Sequence, residues 1–252
     1  MSIPKKIHYC WFGNAEKPES VNKCIASWKK HMPDYEIIEW NESNIDFSRN
    51  RFAREAYESK KWAFVSDYVR LLVLVKVGGI YFDTDVEILK AFDDLLGYKA
   101  VAGFEEEKYV MTAVMASEPD HPLFKQWLNQ YDEMNFILNE NQVNITTNVH
   151  YFSEILLKNG LNPNGMRQNV EGIEIFPCEY FSPKNYYTEK IHKTSNTYAI
   201  HHFQRSWCEA ESSLRKFLRM HPRIQYLYYL PNRLGKKILG NRYDDLKRRL
   251  KR

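Results

Sequence analysis

Up to about residue 203 the chain reads as short apolar runs set between polar turns, some alternating every second residue and some recurring at helical spacing, which predicts strands interleaved with helices. Strands are expected over Ile7 to Phe12, Tyr35 to Trp40, Ile80 to Val86, Ala100 to Phe104, Met111 to Ala116, Gly172 to Phe176 and Thr197 to Phe203. Helices are expected near Pro18 to His31, Ser48 to Ser59 and Lys61 to Val77, after Asp120-His121-Pro122, and around His150 to Lys158. This order implies an α/β domain with a mainly parallel sheet. The segment Trp62 to Val77 is apolar on nearly every side, the signature of a buried helix. Gly78-Gly79 then stops it and turns the chain sharply into the next strand. There is no internal repeat, no low-complexity linker, no GxGxxG and no P-loop.

The polar residues inside this apolar frame carry the candidate chemistry. Asp67 and Arg70 lie three apart on the buried helix, share a face, and need partners. Either they satisfy each other, or Arg70 meets a phosphate and Asp67 a sugar hydroxyl. Asp83 and Asp85 are two apart in Ile80-Tyr-Phe-Asp83-Thr-Asp85, so strand alternation points both the same way while Ile80 and Phe82 are buried. Two carboxylates in one small volume repel, and a hard divalent cation, Mn²⁺ or Mg²⁺, suits them; the alternative is a solvated strand end. In the late strand, alternation puts His201 and Phe203 on one face and His202 on the other. Neutral imidazole is a fitting third ligand, and His201 is the preferred one, against both being ordinary strand residues.

Four ordered blocks together resemble glycosyltransferase family 32, the DXD-containing sugar transferases, especially the bacterial capsular-polysaccharide type. They are Ile3-Pro-Lys-Lys-Ile-His8-Tyr-Cys-Trp11-Phe-Gly13, the stretch Pro33 to Asn44, the stretch Ala63 to Asp85, and Tyr198-Ala-Ile-His201-His202-Phe-Gln-Arg-Ser206-Trp207, covering roughly residues 3 to 209. The glucosylating domains of large clostridial toxins look like distant relatives. The resemblance implies a GT-A fold, a Rossmann-like nucleotide half joined to an acceptor half. It implies a retaining transferase that uses Mn²⁺ or Mg²⁺ and a nucleotide-sugar donor, a UDP-sugar, to extend a glycan or lipid-linked saccharide in capsule or exopolysaccharide synthesis.

Residue by residue, the resemblance implies that Trp11 stacks on the base, a role a flat indole suits, although such a Trp is also an ordinary core residue. It implies that Asn44 contacts the nucleoside or phosphate, or else is a plain turn residue. Asp67, Arg70 and Tyr81 match residues that hold the donor sugar and diphosphate. Asp83 and Asp85 match the pair around metal and ribose, with Asp85 the firmer ligand. Ser206 and Trp207 match a late pair near the metal and β-phosphate, where an indole N–H can donate. The chain departs from the pattern in Met111 to Met115 and in Thr146-Thr147-Asn148-Val149-His150, both on the acceptor side.

Composition adds to this in three places. With 44% hydrophobic and 15% aromatic residues, 252 residues bury a substantial core, which excludes a disordered chain. Cys10, Cys24, Cys178 and Cys208 form no CxxC pair or regular framework, as expected of reduced thiols, each filling a core position. No signal peptide and no run of about 20 apolar residues is visible, so a cytoplasmic location is expected.

Charge is divided unevenly. Residues 213–252 hold 13 Lys or Arg and 2 acidic residues, a net +11 against +4 overall, so the rest of the chain is acidic. Leu234, Ile238, Leu239, Tyr243, Leu246 and Leu250 recur there at near-helical spacing among Lys and Arg, with Tyr226, Tyr228 and Tyr229 upstream. A catalytic domain over 1–212 is therefore expected, with a basic amphipathic helical tail over 213–252 that contacts an anionic membrane on its inner face, or packs as a solvated helix. The acidic remainder argues against nucleic acid. Two other readings compete: a haloacid-dehalogenase-like phosphatase using Asp83 and Asp85, whose motif normally opens its domain, and a non-catalytic carbohydrate-binding protein at the membrane surface.

Overall fold

The computed structural model describes residues 3–140 and 142–204. Ser206, Trp207, Cys208 and the basic segment 213–252 lie outside the described residues. One unit runs to Lys184 and resumes at Ile191. The loop Asn185–Lys190 belongs to a second unit and is closed on itself by a bond from the Asn185 amide to the Lys190 carbonyl.

In chain order the elements are β1 (Lys6–Cys10), α1 (Glu19–His31), β2 (Glu36–Trp40), α2 (Arg51–Glu58), α3 (Trp62–Val77), β3 (Gly79–Phe82), β4 (Val86–Ile88), β5 (Ala100–Glu106), β6 (Tyr109–Val110) and β7 (Val114–Ser117). They continue with α4 (Pro122–Gln130), β8 (Ile137–Asn139), β9 (Gln142–Val143), α5 (Asn148–Lys158), β10 (Gln168–Val170), β11 (Ile173–Phe176), α6 (Cys178–Phe181) and β12 (Ala199–His201). The expected α/β class is observed. The main sheet has the order β10-β11-β5-β7-β3-β1-β2, with β6 paired to β5. Pairing is parallel through β2, β1 and β3 and between β5 and β11; β7 lies antiparallel between β3 and β5. Two short strands, β4 and β12, form a separate antiparallel pair.

Alternation along the strands feeds two cores. Tyr81 packs with α2, α3, α4 and α5 on one face, whereas Ile80 and Phe82 pack on the other with Trp28 of α1 and Phe92. Covering both faces is what a sheet with parallel strands requires, and it explains why β3 is buried at every position. Helix α3 has the bounds its apolar pattern predicts, and Gly78 (φ 68°) and Gly79 (φ 107°) end it in conformations that favour glycine. A Cβ on Gly79 would lie 2.7 Å from the Lys6 carbonyl oxygen and 2.9 Å from His8 Nε2, so the close approach of β1 also requires glycine. Buried His8 fixes this junction: its Nε2 lies 2.8 Å from the Gly78 carbonyl oxygen and its Nδ1 accepts from Trp40 Nε1 at 3.1 Å.

Two local expectations are corrected. The helix near Ser48 to Ser59 is broken at Asn50, whose side chain accepts from the Ala53 amide and caps α2 after a 3-10 turn over Phe47–Arg49. Cys10 and Cys24 are buried, but Cys178 is exposed where it opens the short helix α6 rather than filling a core position. Among the described residues no helix is long and apolar enough to cross a membrane.

Candidate functional site

The carboxyl ends of parallel strands β2, β1 and β3 lie side by side at one edge of the sheet, the edge at which open α/β sheets ordinarily bind ligands. Asp83 follows β3 directly. A continuous strand through Asp85, expected from the sequence, does not form: the Val86 amide bonds the Asp83 carbonyl at 3.0 Å, so residues 83 to 86 make a tight turn and the chain leaves the main sheet for β4. The two carboxylates converge through that turn rather than through strand alternation. Antiparallel pairing of β4 with β12 places His201 opposite Val86, and one ligand atom each from Asp83, Asp85 and His201 lie within 4.8 Å of one another.

The support for Asp83 comes from α3. Arg70 is buried, and each of its three guanidinium nitrogens lies close to a protein oxygen. Nε faces the Ser66 carbonyl at 3.3 Å. Nη1 reaches the Thr112 carbonyl at 2.7 Å and Asp83 Oδ2 at 3.4 Å. Nη2 reaches Asp67 Oδ1 at 3.0 Å and Asp83 Oδ1 at 3.2 Å. Tyr81 is fully buried, donates its hydroxyl to Asp83 Oδ1 at 3.1 Å, and lies 4.7 Å from the guanidinium carbon through its ring centroid. Arg70 thus contacts Asp67 and Asp83 together. Burial raises the Asp67 carboxyl to about 6 against the pull of Arg70. Asn148 adds an amide 3.4 Å from the Asp67 carbonyl, and its own Oδ1 is buried without a partner.

Asp85 is held differently. Its Oδ2 accepts from the Gln204 amide at 2.8 Å, its carbonyl accepts from the His202 amide at 3.0 Å, and its Oδ1 lies 3.5 Å from His201 Nε2. Burial opposes the charge on both side chains, but their mutual attraction overrides it, lowering the Asp85 carboxyl and raising the His201 imidazole, the latter with help from Glu105. His202 turns away and pairs with Glu87 Oε2 at 2.9 Å. The donor set, two carboxylates and an imidazole, fits a hard to borderline divalent cation such as Mg²⁺ or Mn²⁺.

The remaining sequence candidates take supporting places. Trp11 follows β1, donates from Nε1 to the Ala15 carbonyl at 2.7 Å, and has the Lys17 ammonium 5.7 Å from its ring centroid. Asn44 closes the turn after β2, accepting from the Asn41 amide at 2.9 Å and donating to the Glu39 carbonyl at 2.8 Å, as a turn residue does. Sequence reasoning gave no role to the Gln204 amide, the Asn148 side chain or Glu105, although Asn148 and Glu105 fall in the loops, Thr146 to His150 and Glu105 to Lys108, on which specificity is expected to depend; only the Gln204 amide carried no sequence signal.

Residues 18–102 match the family described as "glycosyltransferase sugar-binding region containing DXD motif". The resemblance to DXD sugar transferases is thereby shown over a segment that contains Asn44, Asp67, Arg70, Asp83 and Asp85. Over 129 residues, half of this chain, there is 33% identity to inositol phosphoceramide mannosyltransferase 3 of Schizosaccharomyces pombe, covering 36% of that protein. Over 119 residues, 36% of this chain, there is 28% identity to subversion of eukaryotic traffic protein A of Legionella pneumophila, covering 18% of that protein. The chain thus matches about a third or less of these relatives' lengths. Among solved structures, PaToxG glycosyltransferase superposes with a TM-score of 0.47 at 21% identity, covering 62% of this chain and 70% of that one.

Proposed function

We propose, on the premise that residues 18–102 are a DXD-containing glycosyltransferase sugar-binding region, that the chain transfers a sugar from a nucleotide-diphosphate donor to a hydroxyl of a glycan or lipid-linked saccharide. The observation that carries this reading is the convergence of Asp83, Asp85 and His201 within 4.8 Å beside the carboxyl ends of β1 and β3. Asp85 and His201 are the principal ligands, because Asp83 already accepts from Arg70 and Tyr81. A divalent cation bound there supplies positive charge to a departing diphosphate. Arg70 and Tyr81 orient Asp83, while the Gln204 amide leaves Asp85 Oδ1 as the free edge of its carboxylate. Trp11, at the end of β1, is the base platform of this reading.

A UDP-sugar donor, retention of configuration, a GT-A assembly and a role in capsule or exopolysaccharide synthesis complete the proposal. The relative named as an inositol phosphoceramide mannosyltransferase supports a lipid-borne acceptor. With it goes contact of residues 213–252, net +11, with an anionic membrane from the cytoplasmic side.

The test is incubation of the full chain with a panel of UDP- and GDP-sugars and Mn²⁺. Slow release of the nucleoside diphosphate, abolished by chelator and restored by excess Mn²⁺, is expected. Release of inorganic phosphate from small phosphoesters, with every nucleotide sugar left intact, would replace the transferase by the phosphatase reading.

A further inference from the structure

The bulge in β5 turns Glu105 toward a nitrogen that nothing else satisfies. In the hairpin of β5 and β6, Phe104 pairs with Val110 and Glu106 with Tyr109, so the register shifts and Glu105 is left out of the pairing. A bulge re-aims one side chain and occurs preferentially beside functional sites. Here the carboxylate it releases reaches His201, with Oε1 3.7 Å from Nδ1. His201 Nδ1 is itself buried and has no hydrogen-bond partner. The opposite ring nitrogen, Nε2, faces Asp85 at 3.5 Å. Phe203 packs against the imidazole with ring centroids 4.1 Å apart, in a left-handed backbone conformation (φ 56°) that brings its ring back over the strand end. The ring is thus bracketed by one carboxylate at each nitrogen and an aromatic on its flank.

We propose that Glu105 is a positioning residue: it accepts the Nδ1 proton of His201, fixes the Nδ1–H tautomer, and so presents the Nε2 lone pair to a divalent cation shared with Asp83 and Asp85. A metal-binding histidine ordinarily donates its other ring N–H to a carboxylate or carbonyl, and that partner sets both ring orientation and basicity. The distance of 3.7 Å shortens to a hydrogen bond by a small rotation of the Glu105 side chain, which the half-exposed end of β5 permits. The inference rests on the cation reading proposed above, and it adds a residue from the main sheet to a ligand otherwise carried by the β4 and β12 pair.

Titration of Mn²⁺ into the full chain, followed by the electron paramagnetic resonance of free Mn²⁺, tests this without reference to turnover. Glu105→Ala is expected to weaken binding by about 10- to 100-fold, and Glu105→Gln by less, since its amide oxygen still accepts. Thermal melting of the metal-free variants checks that both are folded. In the Mg²⁺-loaded protein, the ¹⁵N resonances of His201 are expected to report Nδ1–H in the parent and a mixed or inverted pattern in Glu105→Ala. Unchanged Mn²⁺ affinity in a folded Glu105→Ala overturns the proposal. So does a loss of affinity with the His201 resonances unaltered, because that marks Glu105 as a direct ligand. A parent that binds no Mn²⁺ removes the cation reading and this inference together, whereas tight binding by parent and variant alike removes this inference alone.

Discussion

The two flanks of the acidic turn are built on opposite plans. On the α3 side, Asp67, Arg70, Tyr81 and Asp83 form a closed network in which every guanidinium nitrogen lies against a protein oxygen and the tyrosine hydroxyl is committed to Asp83. On the β12 side, Asp85 Oδ1 and His201 Nε2 sit 3.5 Å apart, beyond good hydrogen-bond geometry, and His201 Nδ1 has no partner. The closed side supplies rigidity; the open side supplies unsatisfied valence. Chemistry is therefore expected to depend most on Asp85 and His201, and stability most on Arg70.

The comparison is tested hardest by Asp85→Asn, which removes a charge from the open side and leaves the closed side intact. Nucleoside diphosphate release is expected to fall about 10³-fold, while the loss of stability stays smaller than that of Arg70→Lys. Full activity would show that the open side is not where charge is stabilised. Next comes Arg70→Lys. A lysine ammonium has three donors and no planar fork, so it cannot serve all the acceptors that Arg70 serves, and two partly buried carboxylates are left with a poorer partner. Chemical denaturation is expected to show a loss of about 4 kcal/mol. A neutral result would mean that the closed network does not hold the fold.

The smallest effect is in pH. His8 pins Gly78, and burial lowers its imidazole to about 4, helped by Lys6 and opposed by its bond to the Gly78 carbonyl. In the unfolded chain the group titrates near 6.5, so between pH 6.5 and 4 the unfolded state binds more protons. Stability therefore falls as pH drops through that window, by up to about 3 kcal/mol from this one group. Protonation would also set an Nδ1–H against the Trp40 N–H that it now accepts. Urea denaturation at several pH values should show a shallower slope for His8→Gln than for the parent; equal slopes would detach His8 from the support of the acidic turn.

What the sequence made legible follows the strength of the local signal. Helix α3 was readable to the residue because an all-round apolar run between polar ends and a glycine pair has one solution. The approach of His201 to Asp85 was readable as a ligand type in a late strand, although its pairing with β4 was not. Three features were hidden. The turn at residues 83 to 86 looks like strand in a pattern of alternating residues, because its amide bonds leave no compositional trace. The antiparallel insertion of β7 between β3 and β5 depends on long-range pairing that periodicity does not encode. Glu105 stands in the acidic run Glu105-Glu106-Glu107, and only the shifted register of β5 and β6 sets it apart.

The turn at Asp83 to Val86 is also a seam. Asp83 follows a strand of the large sheet, Asp85 precedes the first strand of the small one and His201 ends its second, and Glu105 comes back from the large sheet. An ion seated there would rivet two separately hydrogen-bonded layers, so its binding energy would be felt as mechanical union of the layers as well as chemistry. Saturating Mn²⁺ should then slow amide hydrogen exchange in β4 and β12, strands too short to protect themselves.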